Sequence, residues 1–302
     1  MGRKLIQHGR SSLTVSLPKK WVNENSLKKG DEIEVEDFQG NILISTRRHY
    51  EHRKIDIDIA GAAPMIRKIM GATFKAGYDE VDIGFHSHEE LKAVQNLVRE
   101  QFTGFEIVRQ TKDSMVVRNL SQTSFEEFNN VLRRFFFVLN HMASEVHSAM
   151  EKNDFKWLKN TALMKTESDK FADYCRRAIN MGFDSEFKRT APLYTIIEQL
   201  EKVADRYRDL CCYVSEKKIR ASKRTKSFLQ EVVEFQKQFY DLFYRFDLKR
   251  MAEFGKRKES LQEKSYELVE HCSKKEIRII LLFDRIVNLV FDLNGPLMAV
   301  HI

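Results

Sequence analysis

The sequence is short of the residues that break helices or staple small folds. Its 302 residues include only four prolines and 12 glycines, while 31% are charged, a balance that favours a mostly helical protein. Cysteine is equally scarce. Cys175, Cys211, Cys212 and Cys272 have neither zinc-like nor redox spacing, and the adjacent pair Cys211-Cys212 could bond only with strain, so free thiols in a reducing compartment are expected. No run of about 18 apolar residues is available to span a membrane. The start MGRKLIQHGRSS lacks the apolar core of a signal peptide, and a cytoplasmic protein without membrane insertion is the expectation. No phosphate-binding glycine loop, Ser-His-Asp set or Cys-His set stands out. His141 and His147 lie six apart on one predicted helix and cannot share a face as metal ligands, so an enzyme is not expected. The last absence is local: through Asn23 the chain holds Arg3, Lys4, Arg10, Lys19 and Lys20 and no Asp or Glu, the first acid being Glu24. The net charge is a moderate +7, and its uneven distribution points to an anionic partner more than the total does.

Residues 1–48 contain short elements in close succession. Leu13, Val15 and Leu17 alternate with Thr14 and Ser16, the period of a half-buried strand. Pro18 stops that strand and suits the first turn of a helix, which Lys19-Lys20-Trp21-Val22 continue as far as Asn25-Ser26. Lys29-Gly30-Asp31 reads as a turn into a strand carrying Ile33 and Val35, and Gln39-Gly40-Asn41 as a turn into Ile42-Leu43-Ile44. Trp21 is expected to plug a tiny core and His8 to sit exposed in a turn. A unit this short cannot bury a core alone, so it should dimerise by interleaving strands. The strand-LPKKW-helix junction and the LKKGDEIEV strand resemble the swapped-hairpin DNA-binding domain of the AbrB/SpoVT family over roughly residues 3–48. The resemblance implies an intertwined homodimeric barrel whose basic face lies on double-stranded DNA. Arg3, Lys4, Arg10, Lys19 and Lys20 are the candidate contacts, and Ser11 and Ser12 could add hydrogen bonds to phosphate. Arg3 and Arg10 are favoured as base readers because a guanidinium bridges a guanine edge. The plain alternative for the lysines is a solvated helix face.

Arg47 to Arg53 form a polar junction, and the predicted domains are 1–48, 53–120 and 122–302. From Lys54 to Val117 the order strand, helix, strand, helix, strand, strand reads as a small α+β connector. From Ser124 onward the apolar period is helical, with Phe128, Val131, Leu132, Phe135, Phe136, Leu139 and Met142 on one face. Predicted helices to about Met150, over Phe155–Met181 and from Pro192 to Ser215 form one triplet. After the charged stretch Lys217–Lys226, helices over Ser227–Phe254, Lys256–Cys272 and Lys275–Asn294 form a second, ending at Gly295-Pro296. The fold class is therefore mixed but mainly α: half of a small β-barrel, an α+β connector and a pair of three-helix bundles.

Acids recur four apart on these helices: Asp169 and Asp173 on the second, Glu201 and Asp205 on the third. Such pairs share a face with about 6 Å between Cβ atoms and repel unless something positive stands among them. Packed side by side, they would gather four carboxylates around one space suited to oxygen-liganded cations. The alternative is a pair of solvated faces with Lys170, Lys202 and Arg206 as partners. The segments EKVADRY and DKFAD, within a doubled three-helix pattern, resemble the PhoU family of phosphate-uptake regulators over roughly residues 122–300. That resemblance implies a multinuclear metal cluster on Asp169, Asp173, Glu201 and Asp205, with iron, manganese, zinc and magnesium not distinguished. The second unit departs from the pattern, having Asn288 in place of a carboxylate and Glu259 and Glu263 as its other pair. GYDEVDI and TGFEIVRQ in the connector also look like archaeal phosphate-uptake regulators that join such a head to such a tail. The combination implies a DNA-binding transcriptional regulator of phosphate uptake and homeostasis. The alternative is an interaction protein that restrains a phosphate transporter or its ATPase subunit, its head serving only to dimerise.

Overall fold

The computed structural model describes residues 2–38, 41–46, 52–121, 125–182 and 190–302. The chain divides into two compact units, Met1–His52 and Arg53–Ile302.

In the first unit, β1 (Ile6–His8) and β2 (Ser12–Thr14) pair antiparallel, with Ile6 opposite Thr14. Gly9 turns the chain between them at φ 71°, a left-handed value that costs glycine little. Helix α1 (Lys19–Glu24) starts directly after Pro18, whose carbonyl accepts from the Val22 amide at 3.0 Å. Gly30 takes φ 98° in the next turn, and the Asp31 carboxylate accepts from the Lys28 amide at 2.7 Å. Strands β3 (Ile33–Phe38) and β4 (Asn41–Thr46) form a second antiparallel pair. The predicted turn residues Gln39-Gly40 and most of the junction, residues 47–51, lie outside the described residues. The two hairpins are not joined into one sheet, and no side chain described in this unit is buried. Leu13 is 65% and Ile42 72% exposed, and Trp21 is only half-buried. The predicted strand of Leu13, Val15 and Leu17 stops at Thr14, and Leu13, Val15 and Trp21 lack, within one chain, the second layer that would bury them.

The second unit opens with the connector, as the sequence predicts. Strand β5 (Lys54–Asp58) leads through a 3-10 turn at Ala63–Met65 into α2 (Ile66–Lys75). Then come β6 (Glu80–Gly84), α3 (His88–Glu100), β7 (Phe105–Gln110) and β8 (Ser114–Asn119). The sheet order is β5-β6-β8-β7, with β5 and β6 parallel and the other pairs antiparallel. Val81 and Ile83 on β6 and Met115 and Val117 on β8 alternate inward. They meet the buried stripes Ile66, Met70, Phe74 of α2 and Val94, Val98 of α3. A capping box starts α3, Ser87 accepting from the Glu90 amide and the Glu90 carboxylate from the Ser87 amide. Amide donors from His86 and Gly61 also hold the Glu90 carboxyl below its usual range.

The remaining helices are α4 (Phe125–Lys152), α5 (Phe155–Ala162), α6 (Met164–Asn180) and α7 (Thr190–Lys217). They are followed by α8 (Lys223–Tyr244), α9 (Leu248–His271), α10 (Lys274–Phe291) and α11 (Asn294–His301). Both triplets share one continuous apolar core. Phe135 and Met142 of α4, Val203 and Tyr207 of α7, Phe235 of α8 and Phe283 of α10 all belong to it. Three predicted boundaries need correction. The helix predicted over Phe155–Met181 breaks at Leu163, where the Leu163 and Thr166 amides turn to carbonyls three residues back, on Asn160 and Leu163, both at 3.1 Å. The helix predicted over Ser227–Phe254 ends at Tyr244, and Asp247 caps the next one by accepting from the Arg250 amide at 2.8 Å. Beyond Leu293 the chain continues as α11, with Pro296 in its first turn, where no amide is needed.

Candidate functional site

The basic side chains singled out in the first unit all stand in solvent. Arg3, Lys4, Arg10, Lys19 and Lys20 are exposed, as are Ser11 and Ser12. Arg3 and Lys4 precede β1 rather than alternating along it, and Arg3 donates to the Ser16 hydroxyl at 2.9 Å, next to β2. Arg10 and Ser11 form the tip of the first hairpin, and Lys19 and Lys20 occupy the first turn of α1. Within this basic set the restraint shown by an acid is the Lys20–Glu24 pair, at 3.7 Å and fully in solvent. Exposed pairs of this kind contribute little, so the set presents its charge outward.

The four acids singled out on α6 and α7 come together, as their spacing predicts, but with cations between them. Asp169 and Asp173 are buried, and Glu201 and Asp205 are half-buried. Lys165, one turn before Asp169 and 5% exposed, pairs with Asp169, with Glu201 at 3.7 Å and with Asp205 at 3.4 Å. Arg176 is 2% exposed and bridges Asp173 at 2.7 Å, Glu198 and Glu201. From the connector, Arg67 of α2 reaches Asp169 at 3.1 Å and Lys75 reaches Asp173 at 3.5 Å. Asp205 also takes Arg208 at 2.9 Å. Burial pushes the Asp169 and Asp173 carboxyls up, with Lys165 and Arg176 working against it. At Glu201 burial acts the same way, but the charges of Arg176 and Lys165 outweigh it and hold the carboxyl low.

The solvated-face reading of these acids does not describe the cluster. Asp169 and Asp173 are not on a solvated face, and two of the basic residues named as partners, Lys202 and Arg206, pair with other acids. Lys202 meets Glu198 at 4.0 Å and Arg206 meets Asp209 at 3.1 Å. Among the described residues, no group of three or more His, Cys, Asp and Glu side chains is disposed to hold a metal ion. In the second triplet Glu259 and Glu263 are exposed. There Gln262 donates to Asn288 at 3.2 Å and Asn288 to Asp284 at 3.1 Å, so an amide relay replaces the ion pairs.

Residues 6–51 match the family model "Antidote-toxin recognition MazE, bacterial antitoxin". The head is MazE-like. The match spans the two hairpins and α1 and ends at the boundary of the first unit. No curated protein matches the chain. Among solved structures, a crystal structure described as a PhoU-like phosphate regulatory protein from Shewanella oneidensis MR-1 is similar at 14% identity and a TM-score of 0.41. It covers 57% of this chain and 97% of its own.

Outside the MazE-like head, sequence reasoning missed the residues that bind the connector to the bundle. Arg177 is fully buried, donates to the carbonyls of Phe74 at 2.8 Å and Tyr78 at 2.7 Å, and pairs with Asp79 at 2.7 Å. Asn180 donates to the Lys75 carbonyl at 2.7 Å. Lys165 and Arg176 had a signal in the sequence, since they stand four and three positions from their acids on the same helix. Arg177 had none: an Arg-Arg step on a helix does not announce a contact some hundred positions away. All four cysteines are free, Cys175 and Cys211 buried, and burial pushes both thiols well above their usual range. Among the described residues no helix is long and apolar enough to cross a membrane.

Proposed function

We propose that the protein is a non-enzymatic, dimeric DNA-binding regulator of phosphate uptake. Two heads interleave on double-stranded DNA, and the helical unit takes the signal. The observation that carries the reading is the MazE-like head, with five basic side chains in solvent before the first acid and its apolar residues uncovered. A second head laid over Leu13, Val35 and Ile42 supplies the missing layer and brings ten basic side chains to one assembly. Phosphate enters the proposal from the motifs EKVADRY, DKFAD, GYDEVDI and TGFEIVRQ, which resemble those of phosphate-uptake regulators.

The test is direct. Fluorescence anisotropy on duplexes covering the chain's own promoter and phosphate-transport promoters should show binding that weakens steeply with salt. Six to ten phosphate contacts lose on the order of 10³–10⁵ in affinity between about 50 and 200 mM salt. Lys19→Glu/Lys20→Glu should abolish binding and, in cells, uncouple phosphate-transport genes from phosphate supply. Absence of DNA binding at low salt sinks the proposal. A charge-reversed variant that still controls phosphate uptake would instead support a protein that restrains the transporter or its ATPase, with the head used only to dimerise.

A further inference from the structure

The carboxylates that resemblance would give to a metal already hold cations supplied by the chain. Both oxygens of Asp169 are engaged, one by Lys165 and the other by Arg67. Both oxygens of Glu201 are engaged as well, by Lys165 and Arg176. The Lys165 ammonium stands among Asp169, Glu201 and Asp205, the position that three oxygen ligands would share around one ion. A divalent ion could enter only by driving out a lysine that is 5% exposed and paired with three acids at once. The electrostatic incentive is also gone. Asp169, Asp173, Glu198, Glu201 and Asp205 are met by Lys165, Arg176, Arg67, Lys75, Lys202 and Arg208, so the chain's own cations offset the acids before any metal arrives.

We infer that Lys165 and Arg176 replace a metal in this cluster, making the joint of α6 and α7 a metal-independent lattice of ion pairs. The same lattice clamps the connector, because Arg67 of α2 reaches the second oxygen of Asp169 and Lys75 of α2 shares the Oδ1 of Asp173 with Arg176. A site fed by metal would be filled or emptied by supply, whereas a lysine fixed by its own helix keeps the connector docked in all conditions. The residues present do not fit a metal cluster, and the inference does not depend on DNA binding by the head.

Removing the lysine tests this. Lys165→Met leaves Asp169, Glu201 and Asp205 facing one another across a space lined by oxygen, which is what a divalent ion needs. Full-length wild type and variant are dialysed against Mn²⁺ or Zn²⁺, metal content is read by elemental analysis, and Tm is recorded with and without each ion. Wild type is expected to retain no stoichiometric metal and to melt at the same temperature with either ion or a chelator. Lys165→Met is expected to hold metal and to rise in Tm by about 5–10 °C at about a hundredfold excess over Kd. Adding Asp169→Asn should cancel that rise, separating this site from adventitious surface binding. Where Lys165→Met does not fold without metal, recovery of the folded chain on adding Mn²⁺ is the readout, and Lys165→Gln repeats it with a side chain of similar reach. Stoichiometric metal on wild type that Asp169→Asn removes overturns the inference, even if neither variant folds. So does a folded Lys165→Met that ignores both ions.

Discussion

Arg177 serves three acceptors at once, the carbonyls of Phe74 and Tyr78 and the carboxylate of Asp79, while its guanidinium lies 5.3 Å from the Phe74 ring and 5.0 Å from that of Phe105. Asp79 is itself 1% exposed and accepts from the Arg53 amide at 3.0 Å, so truncating the arginine takes the ion pair from a buried charge. Arg177→Ala should therefore destabilise the second unit by about 3–5 kcal/mol in urea unfolding followed by circular dichroism. Arg177→Lys should recover little, because one ammonium can neither fork between three oxygens nor stack on two rings. A loss below about 1 kcal/mol would show that the contact is ornamental. Glu276 is the counterpart between α8 and α10. It accepts from the Ser222 amide at 2.7 Å and from the Thr225 and Ser273 hydroxyls, both at 2.9 Å. Burial pushes its carboxyl up, but these donors prevail and hold it below the ordinary 4.5. A carboxyl held low in the folded state contributes its stability above the unfolded value and loses it as pH falls through the folded one. Glu276→Gln should thus be less stable than wild type at pH 7, and the difference should shrink below pH 4.5. A difference that stays constant from neutral to acid pH would refute this.

Between elements, what decides is where a helix stops. Apolar period identified the helical regions from α4 to α10, because Phe135, Leu139 and Met142, or Ile279, Phe283 and Ile286, recur on one buried face. It could not see the breaks, because the period runs through them. Phe243, Phe246, Met251 and Phe254 all pack on the same core although Phe243 lies near the end of one helix, Phe246 lies in the turn and the last two belong to the next helix. The break is written instead in Asp247, whose carboxylate competes for the Arg250 amide. Asp247→Ala should cost about 1 kcal/mol, and Asp247→Asn, which retains a side-chain acceptor, should cost far less; equal losses from the two would exclude the capping role. The acid cluster divides in the same way. The pairs Lys165–Asp169 and Asp173–Arg176 are helix neighbours and legible in the sequence. The reach of Arg67 to Asp169 spans 102 positions and exists only once α2 docks on α6.

At the scale of the whole molecule, the second unit has an apolar core in its connector and another in its helices, whereas the first has no buried side chain among those described. Alternation and turn residues made the strands of the head legible, and the expectation of a partner followed from its size. The contacts of the proposed partner would lie in a second chain, which no single sequence or single fold displays. The two tryptophans of the chain separate the units spectroscopically. Trp21 reports on α1, and Trp157 reports on α5, where it donates to Glu145 at 2.7 Å. Urea unfolding of Trp157→Phe, followed through Trp21, should depend on protein concentration, with each tenfold dilution lowering the apparent stability of the dimeric head by about 1.4 kcal/mol. Unfolding of Trp21→Phe, followed through Trp157, should not move, because that core is complete within one chain. Replacing Leu13 with Asp removes apolar cover where two heads would meet, so it should shift the Trp21 transition and leave the Trp157 transition in place. A Trp21 transition that ignores both concentration and Leu13→Asp would mean that the head closes on itself, and the dimeric reading of the DNA-binding surface would fall with it.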